Sequence, residues 1–231
     1  MTPELFGVFP GPGPVLPSRS LDWVVFALYT LLCLLCCYQH RHSLGMVRSR
    51  SVLFAGLLVA GVVAPLVAQL KVPHQGMLWP ALLPADVPLT LPLFATVPAL
   101  AAAIFFGAVP AALVGLVSGL SYACSLGLTW NQPAEGALFG LLLALLLGQR
   151  YRGALFALLR MPAFATPLAS LLLWPVPIYA YLSSPDIWTA GVDLVLPLLE
   201  LAAPTVVASL FVGCVAQILL ALSPALRPTA G

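Results

Sequence analysis

Apolar positions dominate the chain in runs long enough to cross a bilayer, and short polar or basic breaks separate them. A membrane-spanning helix needs about 20 such residues, and fewer where aromatic side chains extend its reach. Seven segments meet this pattern: 22–38, 52–70, 89–106, 110–128, 134–149, 162–182 and a last one within 189–222. The first has Ser20 placed to cap its start and Trp23 at the boundary. The third holds Pro92 and Pro98. The seventh is too long for one straight span, and Pro197 and Pro204 predict a broken or interfacial first section followed by a full crossing.

Two connections carry turn signals. Gly107 suits a left-handed helix end and Pro110 the first turn of the next helix. Residues 131–135 (NQPAE) offer a cap, a proline near the start and an acid in the first turn. The segment 150–161 (RYRGALFALLRM) sets basic ends around Leu155, Phe156, Leu158 and Leu159, the pattern of a short amphipathic helix on a membrane surface. The longest external loop, 71–88, carries Pro73, His74, Trp79, Pro80 and Pro84 and reads as semi-rigid.

Small residues recur every fourth position in the fourth and fifth segments: Ala111, Gly115, Gly119, Ala123 and Gly127, then Gly136, Gly140, Ala144 and Gly148. Lipid gives helices no hydrophobic reason to associate, so such stripes act by letting backbones approach closely. Two stripes on consecutive helices favour pairing with each other over a homodimer face. Gly115, Gly119, Gly136 and Gly140 are the expected packing residues.

Composition agrees. The 231 residues are 61% hydrophobic and 7% charged, with a mean hydropathy of +1.07, whereas soluble domains are about 25% charged. The 23 prolines and 18 glycines lie largely inside apolar runs, where neighbouring helices satisfy freed backbone groups. The first 20 residues are Pro/Gly-rich and carry Glu4 instead of a basic start, so the first helix is expected to be an uncleaved anchor. Of the nine cations, Arg41, Arg48, Arg50, Arg150, Arg152, Arg160 and Arg227 fall on one side of a seven-span threading. The other side holds Glu4, Asp22, Asp86, Glu135 and Asp186 with Arg19 and Lys71. Basic loops stay in the cytoplasm, so the expected fold is an all-α, polytopic membrane helix bundle with about seven transmembrane helices. Its N-terminus is outside and its C-terminus cytoplasmic. Residues 1–20 form an external segment, 21–223 the bundle, and 224–231 a cytoplasmic tail or linker. The expected location is the bacterial inner membrane.

Charge inside a bilayer is costly and therefore a candidate for function. Asp193 and Glu200 share one face of the last segment near Pro197 and Pro204. Glu200, with Ser118, Ser121, Tyr122, Tyr179 and Trp174, forms the candidate ligand-binding set; the alternative is an interfacial Asp193 and a protonated Glu200 bonded to one neighbour. Cys33, Cys36, Cys37, His40 and His42 end the first helix. Cys33, Cys37 and His40 can share a face in a zinc- or copper-like array, but thiols are also ordinary membrane packing groups, and no metal or cofactor is expected. The five cysteines frame no external loop, so no disulfide scaffold is expected. Trp79, Trp130, Trp174, Trp188, Tyr179 and Tyr181 read as an interfacial belt, or alternatively as a ligand cage. The sequence has no P-loop, HExxH or GxSxG, and no basic surface interleaved with aromatics, so neither catalysis nor nucleic-acid binding is expected.

Residues 107–120 (GAVPAALVGLVSGL) and 135–162 (EGALFGLLLALLLGQRYRGALFALLRMP) carry a resemblance. They resemble the membrane-embedded N-terminal sensor regions of bacterial signalling proteins, of the histidine kinase and cyclase type. To a lesser degree they are similar to substrate-binding subunits of energy-coupling-factor vitamin transporters. The first resemblance implies a sensory or input module that couples a small ligand or a membrane state to a cytoplasmic output. Because the sequence stops at Gly231, that output is expected either in a longer chain or in a partner protein. The second implies a small-molecule transporter subunit. A structural subunit of a larger membrane complex, docking through 150–161, is the third expectation. The expected partners are the lipid bilayer, a cytoplasmic or membrane protein and a small-molecule ligand.

Overall fold

The computed structural model describes residues 20–67, 69–72, 89–92, 94–126, 131–175 and 195–222. Its elements are α1 (Ser20–Gln39), a 3-10 turn (Arg41–Ser43), α2 (Leu44–Ser49), α3 (Ser51–Val67), β1 (Gln69–Val72), β2 (Leu89–Pro92), α4 (Val97–Phe105), α5 (Ala108–Leu126), α6 (Asn131–Gly148), α7 (Ala154–Leu159), α8 (Pro162–Leu172) and α9 (Val195–Leu222). Among the described residues the fold is helical apart from one short hairpin. Contacts gather the chain into two compact units where the sequence reading has one bundle over 21–223. Unit 1 is Met1–Ala68 with Phe94–Leu145; unit 2 is Gln69–Leu93 with Leu146–Gly231.

Every one of the seven expected segments contains a helix, but seven crossings is a finer statement than the helices establish. Thr205–Leu222 is long and apolar enough to cross a membrane; Trp23–Gln39 and Arg41–Ser49, bent by 65°, pass the same test only as a pair. The third segment departs most from expectation. Its first residues, Leu89–Pro92, form a strand, and the helix runs only from Val97 to Phe105. The prolines explain this. Pro92 has no N–H and biases Leu91 toward extended backbone, whereas Pro98 sits in the first helical turn, where its missing donor costs nothing. β2 pairs antiparallel with β1, with Gln69 opposite Pro92 and Val72 opposite Leu89. The hairpin draws together the ends of the expected loop, whose residues 73–88 lie outside the described set. The sixth helix is also shorter than expected and ends at Leu172.

The last segment differs in the other direction. α9 is assigned as one helix of 28 residues through both prolines. Pro197 falls in its first turn, where no N–H is needed, and Pro204 removes a single helical hydrogen bond. One lost bond does not stop a helix of about 42 Å. Ser20 is likewise the first helical residue rather than a cap outside the helix.

In unit 1 the helices run up and down. Gly107 ends α4 at φ +88°, and its N–H reaches back to the Ala102 carbonyl at 3.2 Å. This left-handed closure is the one the sequence predicts there. Ser43, from the basic connection after α1, sits against this turn: its hydroxyl oxygen accepts from the Val109 N–H at 3.2 Å and donates to the His40 carbonyl at 2.9 Å. A side chain 66 residues away thus satisfies a donor that α5 leaves open at its start. Phe54 meets Phe106 edge-on, 5.7 Å between centroids, at the same end. At the opposite end the Ser121 hydroxyl donates to the Val62 carbonyl of α3 at 2.7 Å. Arg41, Arg48 and Arg50 therefore share the end with Gly107, while Glu135, in the second turn of α6, belongs to the end where α5 finishes.

Side-chain size sorts in the reverse of a water-soluble core. Among the described residues most of the buried ones are small, including Ala99, Ala102, Ala103, Ala111, Ala112, Ala123, Ala137, Ala165, Ala169, Ser118 and Ser209, and Phe106 is the largest fully buried side chain among them. Many of the large aliphatic side chains point outward, from Leu34 (62% exposed) on α1 and Val52 (86%) on α3 to Leu222 (74%) on α9.

Candidate functional site: two helix seams

The first seam joins α5 and α6. Seen from Gly115, a β-carbon would run into the Gly136 carbonyl; from Gly136, into that of Gly115. At Gly119 it would strike the Gln132 carbonyl, and at Gly140 that of Ala111. Glycine is required here by proximity and not by dihedral angle, since Gly107 and Gly153 are the glycines with positive φ among the described residues. The four glycines named from the sequence thus lie on one contact line, backbone against backbone. Gly61 extends it to α3, its added β-carbon falling 3.3 Å from the Val114 carbonyl oxygen.

The candidate ligand residues divide between the units. Ser118, Ser121 and Tyr122 are in unit 1. Ser118 is buried and its hydroxyl donates to the Ala95 carbonyl at 2.9 Å; Ser121 donates to Val62 as described. Both hydroxyls tie α5 to its neighbours, a use of serine common where helices pack in apolar surroundings. Tyr122, half-buried, directly follows Ser121 on α5. Trp174, half-buried just past α8, and Glu200, in the second turn of α9, belong to unit 2. Tyr179 and Asp193 lie outside the described residues, as do Trp79, Trp130, Trp188 and Tyr181. Neither unit by itself contains the whole set.

Cys33, Cys36 and Cys37 are free, partly buried thiols on α1. Among the described residues, no group of three or more His, Cys, Asp or Glu side chains is arranged to hold a metal ion.

The second seam, between α8 and α9, was not singled out in the sequence. The Ser170 and Ser209 hydroxyls lie 2.6 Å apart, both buried. Ser170 also bonds the Thr166 carbonyl at 3.2 Å, and Thr166 that of Pro162 at 2.8 Å. A β-carbon on Gly213 would sit 2.5 Å from the Pro162 oxygen and 3.0 Å from Ala163 Cα. As α8 numbers rise the matching α9 numbers fall, so the two helices run antiparallel. The signal was present: Pro162, Thr166 and Ser170 repeat at four residues, as do Ser209, Gly213 and Gln217. Small polar residues at that spacing mark a close helix face as glycines do.

Gln217 ends this row with its side-chain Oε1 buried and without a hydrogen-bond partner. A buried acceptor left unmatched costs about 1–3 kcal/mol. Gln217→Met keeps the length and removes the polar group. The variant is expected to unfold at the same temperature as the parent or a few degrees higher in a thermal melt of the purified protein. A clear loss of stability would mean that the amide has a partner after all.

Comparison with known proteins finds no matching family model, curated protein or solved structure.

Proposed function

We propose that this chain is a multi-pass membrane protein of the bacterial inner membrane acting as an input module. In this reading a small ligand or a bilayer property biases the packing of α9 on α8. The observation that carries the reading is the inverted sorting of side chains. Water would not tolerate the outward Leu, Val and Phe of α1, α3 and α9, whereas lipid solvates them and leaves small residues to make the contacts between helices.

Charge supports the orientation. Unit 1 gathers Arg41, Arg48 and Arg50 at one end, and the positive-inside rule assigns that end to the cytoplasm. The same rule puts Arg150, Arg152 and Arg160 there. Length tempers the number of crossings. α1, α3, α5, α6 and α9 reach about 26 Å or more, but α4 and α8, of 9 and 11 residues, reach only about 14 and 16 Å of a core about 30 Å thick. Seven crossings with the C-terminus inside is the threading that keeps the arginine clusters together.

α9 is the natural moving part. It meets α8 through small side chains and one hydroxyl pair, a contact that a modest differential affinity between two states could re-register. The resemblance of 107–120 and 135–162 to sensor regions supports the same role.

Two measurements test it. Cysteines introduced at Ser49 and Arg152 in a chain cleared of its own thiols should react with impermeant reagents from the cytoplasmic side only; labelling from opposite sides would overturn the orientation. Native mass spectrometry of the detergent-extracted protein should then show a retained small ligand or a cytoplasmic partner. A protein that is bare in both respects, and that leaves membranes in alkaline carbonate without detergent, would refute the reading.

A further inference from the structure

Between α6 and α8 the chain folds into a compact basic hook. The Gln149 side-chain amide donates to the Phe156 carbonyl at 3.1 Å, and the Arg160 guanidinium donates to the Tyr151 carbonyl at 2.5 Å. The Tyr151 and Phe156 rings stand 5.2 Å apart. Gly153 turns the chain at φ +139°, a conformation open essentially to glycine alone. Cross-braced in this way, the hook presents two kinds of chemistry side by side. Arg150, Arg152 and Arg160 are exposed, and so are the apolar Leu155, Leu158 and Tyr151. No acid occurs anywhere in residues 136–185 to neutralise the arginines.

We propose that this hook is a binding surface for the headgroups of anionic phospholipids. The inference rests on the membrane reading above and adds the partner. Guanidinium groups take phosphate oxygens in paired, charge-assisted hydrogen bonds. Leucine and tyrosine beside them match the step from headgroup to acyl chain, where basic amphipathic segments settle. An acidic protein surface would satisfy the arginines but leave Leu155 and Leu158 against polar atoms. The lipid surface satisfies both.

Each basic residue near an anionic leaflet contributes about 1 kcal/mol, which is about fivefold in affinity. Three give a preference of about a hundredfold. The full chain, delipidated in detergent, is titrated with phosphatidylglycerol and with phosphatidylcholine of the same acyl chains, and lipid retention is read by native mass spectrometry. The wild type should favour phosphatidylglycerol by about a hundredfold, less at high salt. The double variant R150Q/R152Q should lower that preference about 25-fold, about fivefold for each arginine removed, and R150K/R152K should recover most of the loss. Far-UV circular dichroism confirms that the variants keep their helices. An equal affinity for both lipids, or a preference unchanged in R150Q/R152Q, overturns the proposal. So does displacement by inorganic phosphate beyond that of chloride at equal ionic strength, which would assign the arginines to a free anion. Loss of a co-purifying acidic protein with lipid preference intact would assign the hook to that partner instead. Failure here leaves the protein firmly in the membrane fraction, whereas failure of the membrane reading releases it from membranes without detergent.

Discussion

Gly115→Val is expected to destabilise the protein by about 3 kcal/mol or more, the upper range for overpacking. For a chain of this size that lowers the melting temperature by about 10 °C. The reason is the identity of the atom that the new side chain meets. At Gly115 the obstacle is the Gly136 carbonyl and the Ala137 nitrogen behind it, all backbone, so no rotamer change relieves the clash. α5 and α6 must move apart as bodies. In doing so they forfeit the backbone contacts along Gly119, Gly136 and Gly140 together, because these share the one seam. Glycines off the seam behave oppositely. Gly56 and Gly148 are helical, with nothing within 4 Å of an added β-carbon. Gly56→Ala and Gly148→Ala are therefore expected to be neutral or stabilising, by up to about 1 kcal/mol of helix propensity. Melting curves of the detergent-purified variants decide the matter. If Gly115→Val melts with the wild type, the seam is not a close contact.

Gly213→Val should show the second-largest effect, again about 2–3 kcal/mol, with raised hydrogen exchange in α8 and α9. Its β-carbon would press on the Pro162 carbonyl and on Ala163 Cα, so that α9 must lift from α8. The lift also breaks the contact between Ser170 and Ser209. Magnitudes separate the two contributions. Hydrogen bonds between helices in membranes average about 0.6 kcal/mol, so Ser209→Ala alone should cost several times less than Gly213→Val. A Ser209→Ala variant as damaged as Gly213→Val would make the hydroxyl pair, and not close packing, the main hold on α9.

Much of this architecture was legible in the chain because its determinants are local. The turn at Gly107 needs a residue free of a β-carbon at positive φ, and the next helix starts immediately after it. The four-residue repeats of glycine and alanine announce a close face on α5 and on α6. What local reasoning misjudged were the prolines. Pro197 and Pro204 predict a broken or interfacial first section, yet α9 is helical through both; Leu89–Pro92, expected within the third helix, instead pairs as a strand with Gln69–Val72. Whether a proline interrupts a helix depends on what neighbouring segments offer the freed backbone groups, and a strand exists only through its partner.

The candidate ligand residues show the same division. Ser118 and Ser121 stand out in the sequence as hydroxyls in apolar helices, and nothing local shows where they donate. In the fold they bond the carbonyls of Ala95 and Val62, 23 and 59 positions away. Ser170 and Ser209 escaped notice because each is unremarkable alone and the pair forms across 39 positions. Helical content and the glycine faces follow from composition and periodicity along the chain, so they are readable before any fold is known. Which face meets which, where α9 is clasped and how the hook at Gly153 closes depend on distances between residues that the chain keeps far apart, and no local pattern encodes them.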